Sequence, residues 1–267
     1  MSGARNRAER IALGAYSALV ALFLLSPLVV AVGLSFSSGE RIEFPPPGLS
    51  LRWYREMIGI EAFRTGLAVS LGVATAVAVV SAVGGTATAI ALNHYRFRGR
   101  ALVQSLALLP LALPGVVVGL GLLSAIGIFG LKPGPVATAI GHSVLGVPYV
   151  AYLVLATLAN YDLSLERASL NLGASRWMTF RRITLPLIAP GVLAGAVCAF
   201  LISFDNVALS LFLARGDTLP LRLMQHIQFS ANPSVAAIST ALVALSFVAM
   251  LPLARLFRNR TIVRFAG

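Results

Sequence analysis

The sequence predicts an all-α membrane protein of six transmembrane helices, with a helical cytoplasmic segment between the fourth and fifth spans. Three observations carry this. The 267-residue chain is 58% hydrophobic and 11% charged, with a mean hydropathy of +0.87, whereas charged residues make up about a quarter of soluble domains. Six apolar stretches, near 11–35, 66–92, 101–127, 136–158, 186–212 and 233–256, each approach the roughly 20 residues that a helix needs to cross the hydrocarbon core. Two thirds of the 21 Lys and Arg residues lie in the two tails, in segments 93–100 and 159–185, and, as Arg255, at the end of the sixth stretch. The positive-inside rule places those segments, and both termini, in the cytoplasm.

Taken in order, the chain opens with a basic tail, 1–10. The first span follows it but is too long, and lacks a small-x-small site before a polar domain, to read as a cleaved signal. The polar stretch 37–63 holds Pro45, Pro46, Pro47 and Gly48, a run that forbids a continuous helix. Its Leu51-Arg52-Trp53-Tyr54 segment suits the outer interface, where amphipathic aromatics favour the headgroup level. The second span is dense in small residues, among them Gly72, Ala74, Ser81, Gly84, Gly85 and Ala89, which permit close helix approach. Pro110 and Pro114 interrupt the third span, Pro148 the fourth and Pro252 the sixth. Each removes a backbone hydrogen bond where no water can replace it, which fits helices lining a pathway and also the general frequency of Pro in membrane helices. A six-span domain over 11–256 and a cytoplasmic tail over 257–267 complete the organisation.

The net charge of +12 and pI near 11.3 are accounted for by this topology, so they do not indicate a nucleic-acid partner. Cys198 is the single cysteine and lies in an apolar run, so disulfides and thiolate metal clusters are not available. His94, His142 and His226 fall on three segments without ligand-like spacing, and no metal site is expected.

Segment 159–185 is much longer than the 2–8 residues of an ordinary helix connection and is patterned as helix. Asp162 or Ser164 can cap a helix with Leu165, Ala168, Ser169 and Leu172 on one face, and Gly173 suits the left-handed position that closes it. Ser175 can cap a second short helix carrying Trp177, Phe180, Arg181 and Arg182, and Pro186 fits the first turn of the fifth span. Two short helices at right angles to the spans, one small-faced and ended by Gly, suit docking into a groove on another protein; an interfacial helix lying on lipid is the alternative.

The stretch 166–186 resembles the cytoplasmic signature of binding-protein-dependent ABC importer permeases, the EAA loop: Glu-Ala-Ala, three residues, Gly, nine residues, then Ile-x-Leu-Pro. Gly173 anchors the register. Arg167, Ala168 and Ser169 take the Glu-Ala-Ala positions, and Ile183, Leu185 and Pro186 match. The resemblance implies a type I ABC importer permease fold in a bacterial inner membrane. It further implies that the loop is a coupling helix docking an ATPase subunit, a role carried onto Glu166, Arg167, Ala168, Ser169, Leu172, Gly173 and Ala174. Arg167 stands where the family has an acid, with Glu166 one residue earlier, so either side chain is left to make the ATPase contact. Expected partners are two ATPase subunits, a second and homologous permease chain, a periplasmic or extracellular solute-binding protein and membrane lipid. ATP and Mg would be bound by the ATPase subunits, since this chain has no phosphate-cradling Gly-x-x-x-x-Gly-Lys-Ser/Thr loop.

Within that family, Ser203-Phe204-Asp205-Asn206 is similar to the Ser-Phe-Asp-acidic segment of spermidine/putrescine permeases. Asp205 is the only carboxylate expected well inside a span, and such a group should face the bundle interior or a water-filled path. Two roles stay open for it, a structural hydrogen bond or, with Phe204 and Asn206, a path or gate favouring a small cation such as a polyamine. An ion-coupled secondary transporter would need more coupling groups at depth. No Ser/His/Asp, di-His or paired-acid set suggests an enzyme.

Overall fold

The computed structural model describes residues 2–159, 162–229 and 232–261. Residues 262–267 of the expected C-terminal tail, and Asn160 and Tyr161 of the segment expected in the cytoplasm, lie outside them. Twelve helices are described: α1 (Ser2–Ser35), α2 (Arg52–Gly59), α3 (Glu61–His94), α4 (Arg100–Ala112), α5 (Gly115–Ile128), α6 (Pro135–Leu158), α7 (Ser164–Asn171), α8 (Arg176–Thr179), α9 (Leu185–Phe204), α10 (Val207–Leu213), α11 (Leu219–Phe229) and α12 (Ser234–Thr261), with a π-turn at Phe180–Thr184. The only β pairing among the described residues is an isolated antiparallel bridge between Ser37 and Leu49.

Among the described residues four helical stretches have the length and hydropathy of a span: Glu9–Ser35, Glu61–His94, Pro135–Leu158 and Arg176–Phe204. The predicted third span is corrected. It divides into α4 and α5, bent by 111°. Leu113, the residue before Pro114, has φ −92° and ψ 143°, because the proline ring excludes the α conformation from its predecessor. The fifth span is corrected at both ends. It runs without interruption from Arg176 through the π-turn to Phe204, so the second short helix is its first turn rather than a separate element. It then stops at Phe204, eight residues short of the predicted end at 212, and α10 takes up most of the remainder. The predicted sixth span falls on α12, whose described apolar part is Ser234–Phe247.

The chain forms two compact units. One comprises residues 1–61 and 225–250, the other 62–224 and 251–267. In the first, Tyr54 packs against the end of α1. Its hydroxyl donates to Ser35 Oγ at 2.8 Å and its ring lies 5.4 Å from that of Phe36. Trp53 is buried within the protein.

The core of the second unit is α6, packed most extensively on α9. Val150, Val154 and Leu158 of α6 join Val73, Val77 and Ala89 of α3 and Ile188 and Ala199 of α9 in one buried cluster. Small residues set these seams. A Cβ on Gly85 would fall 2.5 Å from Val150 Cβ, and one on Gly195 would fall 2.8 Å from Val150 Cα. Val150, fully buried, is therefore clasped between two glycines on opposite neighbours. The small residues of α3 act as bundle packing where Ala74, Ser81, Gly85 and Ala89 turn inward.

Candidate functional site

Two regions at opposite ends of one helix carry the predicted site residues. At the N-terminal end lies α7. Asp162 accepts hydrogen bonds from the Ser164 amide (2.8 Å) and hydroxyl (2.7 Å), an Asx-type start. The hydroxyl bond first and the amide bond second hold its carboxyl below the usual aspartate range. At the other end the Gly173 amide donates to Leu170 O and the Ala174 amide to Ser169 O, with Gly173 at φ +85°. This is the paired bonding of a Schellman motif, which needs a residue that tolerates the left-handed region. The chain leaves it through Ser175, whose hydroxyl accepts from the Met178 amide at 3.2 Å; the cap is the one the sequence indicated, but it opens the fifth span rather than a separate short helix.

The predicted coupling residues divide by direction. Arg167, Ala168, Leu172 and Gly173 are exposed, and Leu172 is 89% accessible. Glu166 and Ser169 turn inward. Glu166 Oε2 and Oε1 lie 2.9 and 3.1 Å from His94 Nε2 at the end of α3, and the Thr184 hydroxyl donates to Oε1 at 2.6 Å. Ser169 and Thr179 hydroxyls are 3.0 Å apart. Glu166 is thus not an outward docking acid: its carboxylate ties α7 to α3 and to the π-turn. The π-turn lies just before Pro186, which has no N–H to give the Arg182 carbonyl four residues back. Leu185 N instead donates to Phe180 O, five residues back.

At the C-terminal end of the same helix the predicted path residues also separate. Phe204 is buried and stacks on Phe200 at 5.8 Å. Asn206 accepts from the Leu209 amide at 2.8 Å and caps α10. Asp205 lies in the break between α9 and α10 rather than inside a span. It is exposed, and among the described residues its carboxylate makes no hydrogen bond or ion pair. The structural hydrogen bond left open for Asp205 is therefore not seen among the described residues.

Sequence reasoning missed the polar cluster that fixes this break. His142 of α6 is buried, with Nδ1 2.9 Å from Ser203 Oγ of α9 and Nε2 3.3 Å from Ser210 Oγ of α10. One imidazole thus holds three helices around Asp205. On the far side, Gly119 of α5 lets α10 approach, since a Cβ there would sit 2.7 Å from Phe212 Cδ2. Among the described residues no cluster of His, Cys, Asp or Glu has metal-binding geometry.

A helix-rich membrane fold with a short latched helix joined to a continuous span defines a class. The fold is that of a type I ABC importer permease, and the chain belongs to the family described as binding-protein-dependent transport system inner membrane component, whose model matches residues 81–262. It is a multi-pass protein of a bacterial inner membrane. Among its relatives are the spermidine/putrescine transport system permease protein PotC of Escherichia coli (strain K12), 28% identical over 94% of this chain and 96% of that one, and the putrescine transport system permease protein PotI of the same strain, 30% identical over 89% of each. Among solved structures, a bacterial alginate ABC transporter in complex with alginate pentasaccharide-bound periplasmic protein shares the fold, at TM-score 0.73 and 16% identity over 96% of each chain.

Proposed function

We propose that this chain forms half of the translocation path of an ATP-driven importer for a small organic cation of the polyamine kind, with α7 as the element that docks an ATPase subunit. The observation that carries the reading is the arrangement at the two ends of Arg176–Phe204. One end is joined through the Schellman turn to α7, with Arg167, Ala168 and Leu172 outward; the other delivers Asp205. At about 1.5 Å per residue this 29-residue helix is about 43 Å long, enough to reach from a cytoplasmic partner past the roughly 30 Å hydrocarbon core.

An ATPase pushing on α7 acts on that helix directly, through a turn of four residues. Two ATPase subunits, which bind ATP and Mg, would close and swing this permease against a second, homologous permease chain, alternating access between the sides. Both termini are then cytoplasmic, and a solute-binding protein delivers from outside. The cationic solute is supported by the names of the 28–30% identical relatives and by the exposed carboxylate of Asp205, which attracts cations and repels anions.

Two experiments test this. Deletion of 165–173 should abolish co-purification of the ATPase subunits while the protein still inserts; retained co-purification would sink the docking assignment. In proteoliposomes of the assembled transporter, Asp205→Asn should lower ATP-driven putrescine uptake about tenfold, the loss of one favourable charge contact of about 1.4 kcal/mol. Unchanged uptake would remove Asp205 from the path, and uptake driven by an ion gradient with no ATPase present would replace the importer by a secondary transporter.

A further inference from the structure

The inward turn of Glu166 has a mechanical meaning separate from docking. Covalently, α7 is continuous with α6 on one side and with the fifth span on the other, so a displacement of α7 reaches those helices through the backbone. It has no such route to α3. Between α7 and the cytoplasmic end of α3 lies a cavity of about 310 Å³, lined by Ile90, His94, Tyr95, Glu166, Arg176 and Thr184 among others. Side chains leave this pocket unfilled, so direct packing there transmits little. The Glu166 carboxylate bridges it, within 2.9 Å of His94 Nε2 and 2.6 Å of Thr184 Oγ1.

The bridge is built to be stiff. Glu166 and His94 side chains are only 15% and 20% accessible, and hydrogen bonds to a charged group in such surroundings are among the stronger ones available. The His94 ring is held on its other side as well, with Nδ1 3.2 Å from the Ile90 carbonyl of its own helix. Its orientation is therefore set by α3, and it hands load to α3 rather than swinging. Thr184 sits in the π-turn, so the same carboxylate also meets the fifth span at its one non-α step.

We propose that Glu166 is a positioning residue that transmits the movement of the coupling helix sideways into α3 through His94, so that α3 and the fifth span move together in the transport cycle. The proposal rests on α7 being the ATPase-docking element. Because α3 packs against Val150 of α6 through Gly85, a displacement delivered at His94 enters the α3–α6 seam. Losing the bridge should leave the ATPase bound and the fifth span responsive, while α3 falls out of step.

The test is hydrogen–deuterium exchange on the intact transporter with its ATPase subunits, with and without trapping by ATP and vanadate. In the wild type, trapping should change exchange in both 84–94 and 176–184. In Glu166→Gln the response of 84–94 should shrink at least about threefold while that of 176–184 persists, and His94→Gln should act alike, the double variant being no worse than either single one. A purely structural role would alter exchange in both segments without trapping and would not separate their responses. An α3 response that is absent in the wild type, or equal in wild type and both variants, overturns the proposal. Absence of any response at 164–184, or loss of the ATPase from the wild-type complex, overturns instead the docking reading on which it rests.

Discussion

Replacing Gly195 by Ala probes how tightly the α6–α9 seam is closed. The new Cβ would lie 2.8 Å from Val150 Cα and 3.1 and 3.2 Å from Val150 Cγ2 and Cβ, where ordinary contact begins near 3.4 Å. The nearest of these is a backbone atom, and Val150 is itself fully buried and pressed from the other side by Gly85. The seam must open by about 0.6 Å, and no flexible side chain can take up the movement. Overpacking of this kind costs about 1–3 kcal/mol. Against it stands the better helix propensity of Ala over Gly, about 1 kcal/mol.

A control separates the two terms. Gly72 is also helical, but a Cβ there meets nothing within 4 Å, so Gly72→Ala keeps the propensity gain without the clash. The difference between the variants should be the full overpacking cost, about a 5- to 150-fold change in the folded-to-unfolded ratio. Unfolding in detergent, followed by circular dichroism for both proteins in parallel, measures it. Equal stabilities for Gly195→Ala and Gly72→Ala would refute the claim that the seam is set by backbone contact at Val150.

Three further expectations follow from the site. Gly173→Ala adds a Cβ into open space but at φ +85°, so its cost is conformational, about 1 kcal/mol; faster amide exchange at Gly173 and Ala174 than in wild type would register it, and unchanged exchange would deny the latch. His142→Leu strands the buried hydroxyls of Ser203 and Ser210, at about 1–3 kcal/mol for each group left unpaired; a companion Ser203→Ala, Ser210→Ala background should recover part of the lost thermal stability. The depressed carboxyl of Asp162 implies that its contribution to the start of α7 is present above its unfolded value of about 3.9 and is lost as pH falls through its lower folded value. A carbon-13 titration of Asp162 should shift to a higher midpoint in Ser164→Ala.

What the sequence disclosed was whatever rests on near neighbours. Gly173, Ser175 and Asp162 act within five residues of themselves, so their bonding could be written from local chemistry alone. The break at Asp205 was hidden, because Val207–Leu213 is as apolar as the helix before it and continues the hydropathy of the span. Its signal was Asn206, a strong capping residue placed three before Leu209. The turn at Leu113 was visible as Pro114, but the size of the bend depends on what α5 packs against. The roles of the histidines could not be read at all: His94 meets Glu166 across 72 residues and His142 meets Ser210 across 68, pairings that only the fold creates. All three, His226 with Ser234 included, hold one helix or turn to another.

The π-turn at Phe180–Thr184 also sets an angle. One extra residue in a helix rotates everything before it by about 100° relative to everything after it. The side of the fifth span that receives α7 and the side that carries Gly191 and Gly195 against α6 are thus fixed in azimuth by that single turn. Deleting one residue from 180–184 would leave each half helical and turn α7 away from His94 about the axis of the span. The turn is in this sense the index mark that aligns the α7 end of the helix with its packed face.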